Sequence, residues 1–320
     1  MPTTATQLDP GPPDTSLIPS NKGRGDSVFR GLSVGSGSLI LVILALVSGF
    51  LVIQAVPTFT ADPVKLPFGP LWSYVVPFVF GTLWSSFLAL LFAVPVALGI
   101  ALFISHYAPR RLAHTLGYII DLLAAVPSVV FGLWGINVLA TSAVPVYAWL
   151  AEHAGFIPLF TGPASGTGRT MLTAALVLAV MILPIITSLC RETFLQVPRL
   201  QEEASLALGA TRWEMIKQVV LPFARSGIIS AAMLGLGRAL GETMAVAMVL
   251  SASNKISFKL VTSQNPNTIA ANIANAFPEA YGLGTNELIA TGLILFIITL
   301  GVNMLARWTM SRRAEFSGAN

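Results

Sequence analysis

Two charged residues interrupt a long apolar stretch in the second half of the chain. The segment LGLGRALGETMAV contains Arg238 and Glu242, four positions apart, so a helix would place both side chains on one face. If that stretch crosses a bilayer from residue 227, Arg238 lies roughly 16 Å deep, near the bilayer centre. An unpaired charge there costs about 2.5–3.5 kcal/mol on insertion scales. The sequence therefore predicts a counter-charge or a water-filled cavity beside the guanidinium.

Two interpretations of Arg238 follow from this position. In the first, Glu242 forms an ion pair with Arg238 that only fixes helix packing, and Gly235, Gly237 and Gly241 allow close helix contact. In the second, the guanidinium binds an oxyanion in a translocation pathway, since its planar fork of five donors matches phosphate. Glu242 then holds or gates the arginine. Only the second interpretation predicts that Arg238→Ala stops transport in a subunit that still inserts and assembles.

A second candidate site lies in the loop 191–225, between two apolar stretches. From Pro198 onward it reads PRLQEEASLALGATRWEMIKQVVLPFAR. Proline suits a first helical turn, and the early carboxylates of Glu202 and Glu203 favour the positive end of a helix dipole. Gly209 is suited to a left-handed helix stop. These residues predict a short helix that ends at the glycine.

A second short helix is predicted directly after this glycine. Thr211 and Glu214 form a T-x-x-E capping box, which marks a helix start. Pro222 is expected to interrupt this helix just before the fifth apolar stretch. The pair of helices would protrude from the membrane. The alternative interpretation is an ordinary amphipathic connector with a solvated charged face.

The composition places both sites in a membrane protein. Of the 320 residues, 54% are hydrophobic and only 10% are charged, against roughly a quarter charged in a soluble domain. Six apolar stretches are long enough to cross about 30 Å of hydrocarbon as helices. They are 38–57, 78–105, 116–141, 170–190, 227–252 and 287–306. We therefore expect an all-α membrane protein with six transmembrane helices.

The distribution of Lys and Arg predicts the orientation. With the N-terminus in the cytoplasm, 13 of these residues lie inside and 4 outside, and Arg238 accounts for the last of the 18. This bias obeys the positive-inside rule in one orientation only. The outer cations are Lys65, Arg169, Lys255 and Lys259. Both termini are then cytoplasmic, with residues 1–37, rich in Pro, Gly, Ser and Thr, as a disordered tail and 308–320 as a second tail.

The loop after the fourth stretch resembles the coupling motif of binding-protein-dependent ABC importer permeases. That motif runs E-A-A, three residues, G, nine residues, I, one residue, L-P. The matching positions are Glu203, Ala204, Ser205, Gly209, Val219, Leu221 and Pro222. Ser205 replaces the second Ala, and Val219 replaces Ile. The resemblance implies a type I ABC importer permease fold with a cytoplasmic coupling helix, in which the segment from Glu202 to Ala207 docks into the ATPase subunit and Gly209 sets the turn.

Two further segments resemble the PstC-type permeases of bacterial phosphate importers. They are GRALGETMAV at 237–246 and AAVPSVVFGLWG at 124–135. The likeness covers a permease core of five spans at about 75–307, after a separate first span at 38–57. It implies a substrate pathway for inorganic phosphate. The residues expected in this pathway are Arg238, Glu242, Thr243 and Ser128.

Ser128 follows Pro127, and its role has an alternative interpretation. A proline frees a backbone carbonyl in a helix, and polar groups gather there. The Ser128 hydroxyl would then bond to its own helix rather than line the pathway. The sequence alone leaves both interpretations open.

The resemblance also implies partners, all in or at a bacterial plasma membrane. These are a homologous PstA-type permease, two PstB-type ATPase subunits and an extracytoplasmic PstS-type phosphate-binding protein. No cofactor is expected in this chain, since ATP and Mg²⁺ would bind to the ATPases. Two alternatives are a permease for sulfate or molybdate and the PstA-type sister subunit. Met244 after Thr243 favours the PstC type.

An enzyme is not expected. None of the five lysines is followed by Ser or Thr, so no G-K-[ST] phosphate loop is present. His106 and His114 fall at the cytoplasmic edge and His153 in a predicted outer loop, which leaves no histidine within a span for serine activation or metal binding. Cys190 is the only cysteine, so no zinc cluster is expected.

Overall fold

Helices form most of the computed structural model, which describes residues 24–314. Two short parallel strands pair with each other, β1 (Ala252–Ser253) and β2 (Asn265–Pro266). The helices are α1 (Arg24–Thr60), α2 (Leu71–Leu102), α3 (Arg110–Ala124), α4 (Ser128–Trp134), α5 (Thr141–His153), α6 (Met171–Leu195), α7 (Arg199–Ala207), α8 (Arg212–Met215), α9 (Leu221–Leu240), α10 (Met244–Val249), α11 (Ile269–Ala276) and α12 (Leu283–Ala314).

Six helical segments are long and apolar enough to cross a membrane, as the sequence predicted. They are Ser27–Thr60, Leu71–Tyr107, Ser128–His153, Met171–Leu195, Arg212–Leu240 and Leu283–Trp308. Three of them contain a π-helical turn or continue through one, at Phe103–Tyr107, Gly135–Ala140 and Ile216–Val220. The all-α membrane fold is therefore confirmed.

The predicted third span, 116–141, is wrong. Its first half belongs to α3, and the span itself is Ser128–His153. Pro127 separates the two because its ring excludes a preceding helical turn and it has no N–H to donate. Residues Val144 to Leu150 lie in the second half of this span.

Both ends of the chain are more helical than predicted. α1 begins at Arg24, so the disordered tail predicted for 1–37 is wrong for residues 24–37, and 1–23 lie outside the described residues. A formed helix extends readily because each added residue gains one hydrogen bond. In the same way α12 continues to Ala314, past the expected start of the tail at residue 308. Residues 315–320 are also outside the described part.

The core of the second of two compact units is built around α6. The first unit ends at Phe50 and, in its described part, is a single helix with mostly exposed side chains; the second begins at Leu51. In the second unit α2 places a stripe of buried alanines at intervals of four, against α6. The stripe consists of Ala89, Ala93, Ala97 and Ala101. Small side chains let helix backbones approach closely where no water drives association.

α9 packs on α6 through glycines. A Cβ atom at Gly235 would lie 2.7 Å from Cδ1 of Ile186, and one at Gly227 would overlap the side chain of Thr193. Both glycines are therefore needed for this close approach. The packing fixes α9, which begins the charged segment, to the most buried of the spans in the described part of the chain.

Candidate functional site

The charged segment contains a break in the helix rather than a continuous span. α9 ends at Leu240, and Gly241, Glu242 and Thr243 precede α10. The carboxylate of Glu242 accepts a hydrogen bond from the backbone N–H of Ala245 at 3.1 Å, so it satisfies a free donor at the start of α10. The Thr243 hydroxyl donates to the carbonyl oxygen of Gly241 at 3.2 Å. The fifth span predicted to run to residue 252 therefore stops at Leu240.

Arg238 and Glu242 do not form an ion pair. Within the described residues, the one carboxylate within 4 Å of a basic side chain is that of Glu202, next to His106. Arg238 lies in the last turn of α9, and the break after Leu240 removes the predicted common helix face. Its Nε atom is buried and has no hydrogen-bond partner, while Glu242 is 8% exposed. The interpretation as a packing ion pair is therefore wrong.

The predicted depth of Arg238 also changes. Counted from Leu221, where α9 begins, Arg238 is about 26 Å along the helix axis. The residue therefore lies at the far end of α9, next to the break, rather than at its middle. The early start of the helix, six residues before Gly227, accounts for the difference.

An open cavity of about 1040 Å³ runs along one side of α9, and we name it the α9 groove. Its lining residues are Ile185 of α6, Ser226, Ser230, Met233, Leu234, Gly237 and Arg238 of α9, and Asn303, Ala306 and Arg307 of α12. Intervals of three and four residues place most of the α9 members on one helix face. Two guanidinium groups line the groove, and none of its described lining residues is acidic. Such a lining can attract and bind an anion.

The two segments that resemble PstC-type permeases pack against each other. A Cβ atom at Gly132 of α4 would lie 3.0 Å from both Cα of Ala245 and Sδ of Met248. A Cβ atom at Gly135 would lie 2.6 Å from Cγ2 of Val177 and 2.9 Å from Cγ2 of Val249. Glycine at both positions lets α4 lie directly on α10. The third span therefore supports the helix that follows the break.

Ser128 begins α4 and is partly buried. Its hydroxyl makes no hydrogen bond to any residue in the described part of the chain. The alternative in which it bonds to its own helix is thus wrong, because a residue at the helix start has no preceding turn to accept the bond. Ser128 does not line the α9 groove, which holds Arg238 but neither Glu242 nor Thr243.

The coupling loop has the two predicted helices, α7 and α8. Gly209 adopts a φ of +91°. This backbone conformation is unfavourable for residues that have a Cβ atom. The capping box between Thr211 and Glu214 is present in both directions. The prediction that Pro222 interrupts this helix is wrong. The π-helical turn Ile216–Val220 precedes the proline and accommodates its missing N–H, so α8 continues into α9.

The surface of the coupling loop is exposed and partly apolar. Leu200 is 78% exposed and Leu208 is 91% exposed. Glu203, Ala204 and Ala207 are exposed as well, while Glu202 and Ser205 are partly buried. Large apolar side chains this exposed, beside carboxylates and outside the spans, are typical of a surface that contacts a partner.

One contact of the coupling helix could not be found from the sequence. Oε1 of Glu202 lies 3.4 Å from Nε2 of His106, which belongs to the π-helical turn after α2, 96 positions earlier in the chain. The other ring nitrogen of His106 is 2.7 Å from the Ser105 hydroxyl. The end of α2 is therefore linked to α7. No spacing rule connects residues so far apart.

Comparison with known proteins shows the family to which the chain belongs. Residues 93–313 match the family described as binding-protein-dependent transport system inner membrane component. The phosphate transport system permease protein PstC 2 of Mycobacterium tuberculosis is 45% identical over 302 residues, 89% of this chain and 91% of the relative. PstC of Mesorhizobium japonicum is 40% identical over 314 residues, 92% of each chain.

A solved structure shares the fold. It is the bacterial alginate ABC transporter in complex with a periplasmic protein that holds an alginate pentasaccharide. Its TM-score is 0.59 at 19% identity, with 90% of this chain and 96% of the other covered. The fold is that of an ABC importer permease. The chain belongs to the inner-membrane component family of binding-protein-dependent transport systems, as a multi-pass PstC-type permease.

Proposed function

We propose that this chain is a permease subunit of an ATP-driven phosphate importer and that the α9 groove is part of its substrate pathway. The observation that carries the proposal is Arg238: its guanidinium lines an open groove and forms no ion pair with a described residue. An arginine that stabilises packing would be expected to have a carboxylate partner. An unpaired guanidinium in a wet groove is suited to a mobile anion.

Phosphate is the proposed anion because of two independent facts. Relatives that are 40% and 45% identical over about nine-tenths of the chain are named phosphate transport permeases. The guanidinium also offers paired donors that match two oxygens of a phosphate. Arg307 and Ser226 add a second cation and a hydroxyl along the same groove.

Glu242 and Thr243 lie at the break after α9. They are proposed to hold in position the last turn of α9, which contains Arg238. Ser128, at the start of the helix that packs on α10, is proposed to support the pathway rather than to touch phosphate.

ATP hydrolysis is proposed to come from separate subunits. The exposed α7, from Glu202 and Glu203 to Ala207, would dock on a PstB-type ATPase, with ATP and Mg²⁺ bound there. Movement of α7 would reach α2 through the contact between Glu202 and His106. It would reach α9 through α8, since Leu221 and Pro222 continue the same helix. The proposed orientation has both termini in the cytoplasm, a PstA-type permease as partner in the membrane, and a PstS-type binding protein outside.

Reconstitution tests this function. The chain is purified with its partner permease and ATPases and placed in liposomes that contain ATP, with the binding protein outside. We expect uptake of labelled phosphate that depends on ATP. Sulfate and molybdate are the control substrates. Import of either of these without import of phosphate would disprove the phosphate assignment.

A further inference from the structure

A second cavity, of about 430 Å³, lies at the opposite end of α6 from the coupling helix, and we name it the outer cavity. It is formed by the segment before α6 and by the loop between β1 and β2. Its lining residues are Pro163, Ala164, Lys255, Ile256, Ser257, Lys259, Thr262, Ser263 and Gln264. Because α6 crosses the membrane once between this cavity and the coupling loop, the two lie on opposite sides. In the proposed orientation the outer cavity faces the exterior.

The walls of the outer cavity are held in place by hydrogen bonds. The side chain of Asn265 is fully buried, and its Nδ2 donates to the carbonyl oxygens of Ser251 at 3.2 Å and Thr262 at 3.0 Å. Its Oδ1 accepts from the N–H of Met171 at 3.1 Å, the first residue of α6. The pairing of β1 with β2 closes the same loop. The loop is thus fixed to the end of α6 without a ligand.

The opposite wall is fixed in the same way. The N–H of Leu260 donates to the carbonyl oxygen of Leu159, and the N–H of Ser165 donates to that of Val261, both at 2.8 Å. These bonds join the loop to the segment that precedes α6. The cavity between the two segments is therefore a built feature rather than a gap between mobile loops.

The side chains that line the outer cavity form a set of donors suited to an anion. Lys255 and Lys259 provide two ammonium groups, and none of the described lining residues is acidic. A Cβ atom at Gly162 would lie 3.2 Å from Nζ of Lys259, so glycine leaves room for the ammonium group. Thr262 is only 6% exposed, and its hydroxyl is buried without a hydrogen-bond partner. Among the described lining residues, this hydroxyl is the one buried donor that no protein group satisfies, so it is available to a ligand.

The position of these lysines adds to the argument. Exterior loops of membrane proteins carry few Lys and Arg, and the sequence places only four such residues outside. Two of these four line one cavity. Twelve residues separate Glu242 from Lys255, and half of them form α10, which is about 9 Å long. The loop that would bind an anion in the outer cavity is thus close in sequence to the break beside Arg238.

We propose that the outer cavity binds an inorganic oxyanion of the phosphate class on the exterior side, before the anion enters the pathway. The ammonium groups of Lys255 and Lys259 would contact its oxygens as point charges, and the Thr262 hydroxyl would donate a hydrogen bond. The choice of phosphate and the assignment to the exterior rest on the proposed function. The existence of an oxyanion site rests on the cavity alone.

The test is protection of a cysteine at the rim from a thiol reagent. Gln264→Cys is introduced into the complete complex in nanodiscs without the binding protein, and its labelling by a charged maleimide is timed. The native Cys190 is fully buried, so background labelling should be low. We expect millimolar phosphate to slow labelling at least threefold relative to chloride at equal ionic strength. Lys259→Gln should remove this protection.

Lys65→Gln is the matched control, because Lys65 is a lysine that is also predicted to be outside but does not line the cavity; Lys65 is exposed and Lys259 is partly buried. It should leave the protection unchanged, and copurification of the partners shows that each variant assembles. The proposal is wrong if phosphate protects no better than chloride, or if both lysine variants lose protection equally. A separate labelling reaction adds the unloaded binding protein. Protection by that protein and not by phosphate would also contradict the proposal, since the cavity would then be a docking contact.

The failure of the proposed function has a different signature. If sulfate protects the cysteine, phosphate does not, and the complex imports sulfate, the oxyanion site stands and the phosphate assignment fails. If phosphate is imported at the normal rate by Lys259→Gln and no anion protects the cysteine, only the outer cavity inference fails. Uptake and labelling are measured on the same preparations.

Discussion

Among single residues, Arg238 is expected to have the largest effect on phosphate uptake when it is substituted. Its guanidinium has no carboxylate partner within the described chain, so the Arg238→Gln variant leaves no buried counter-charge behind and should still fold. Loss of a hydrogen-bonded charge contact costs about 1.5–3 kcal/mol, which is roughly a 10- to 160-fold lower rate of phosphate uptake. Arg225→Gln removes the same charge from an exposed position of α9 outside the groove. Equal effects of the two variants would exclude a specific role of Arg238.

Arg307 should matter for the same reason but less. It is exposed on α12 and lines the α9 groove together with Arg238, so water screens its charge. We expect Arg307→Gln to raise the phosphate concentration needed for half-maximal uptake about threefold to tenfold, with normal assembly. Arg225→Gln is again the control. An unchanged concentration dependence would mean that Arg307 acts only as an interfacial anchor.

Prediction from sequence was reliable where short-range chemistry decides the conformation. The turn at Gly209 and the capping box of Thr211 and Glu214 follow from local rules, and both are present. The ion pair of Arg238 with Glu242 followed from spacing on an assumed helix, and it is absent because the helix ends at Leu240. A Gly-Glu-Thr segment permits either a continuous helix or a break. α10, which follows the break, packs on α4 at Gly132, and that contact between distant segments is not visible in the sequence.

At the scale of elements, α7 is expected to transmit motion from the ATPase. Ala207 is exposed at the end of this helix, one turn after Glu203. A cysteine at Ala207 should crosslink to a cysteine in the groove of the ATPase, and vanadate trapping should change the yield. Ala210, after the Gly209 turn and partly buried, provides a control position that should react less. No crosslink from Ala207 in any nucleotide state would contradict docking by α7.

At the scale of the whole molecule, hydropathy predicted the number of spans correctly but not all of their limits. An apolar run shows that a segment prefers lipid, and it does not show where a helix starts. Pro127 shifted the third span to Ser128–His153, and the apolar run at 116–141 is divided between α3 and that span. The α9 groove could not be predicted either, since it joins Arg238 to Arg307, 69 positions apart, through the packing of α12 beside α9.

The orientation of the molecule is the expectation on which every other proposal depends. The excess of 13 cations on one side over 4 on the other predicts that the coupling loop lies in the cytoplasm and the outer cavity outside. Cysteines at Leu208 and at Ile256, both exposed, report the two sides. In intact cells an impermeant thiol reagent should label Ile256→Cys and not Leu208→Cys, and permeabilisation should make both reactive. The reverse pattern would place the coupling loop where no ATP is available, so an ATP-driven importer would be excluded.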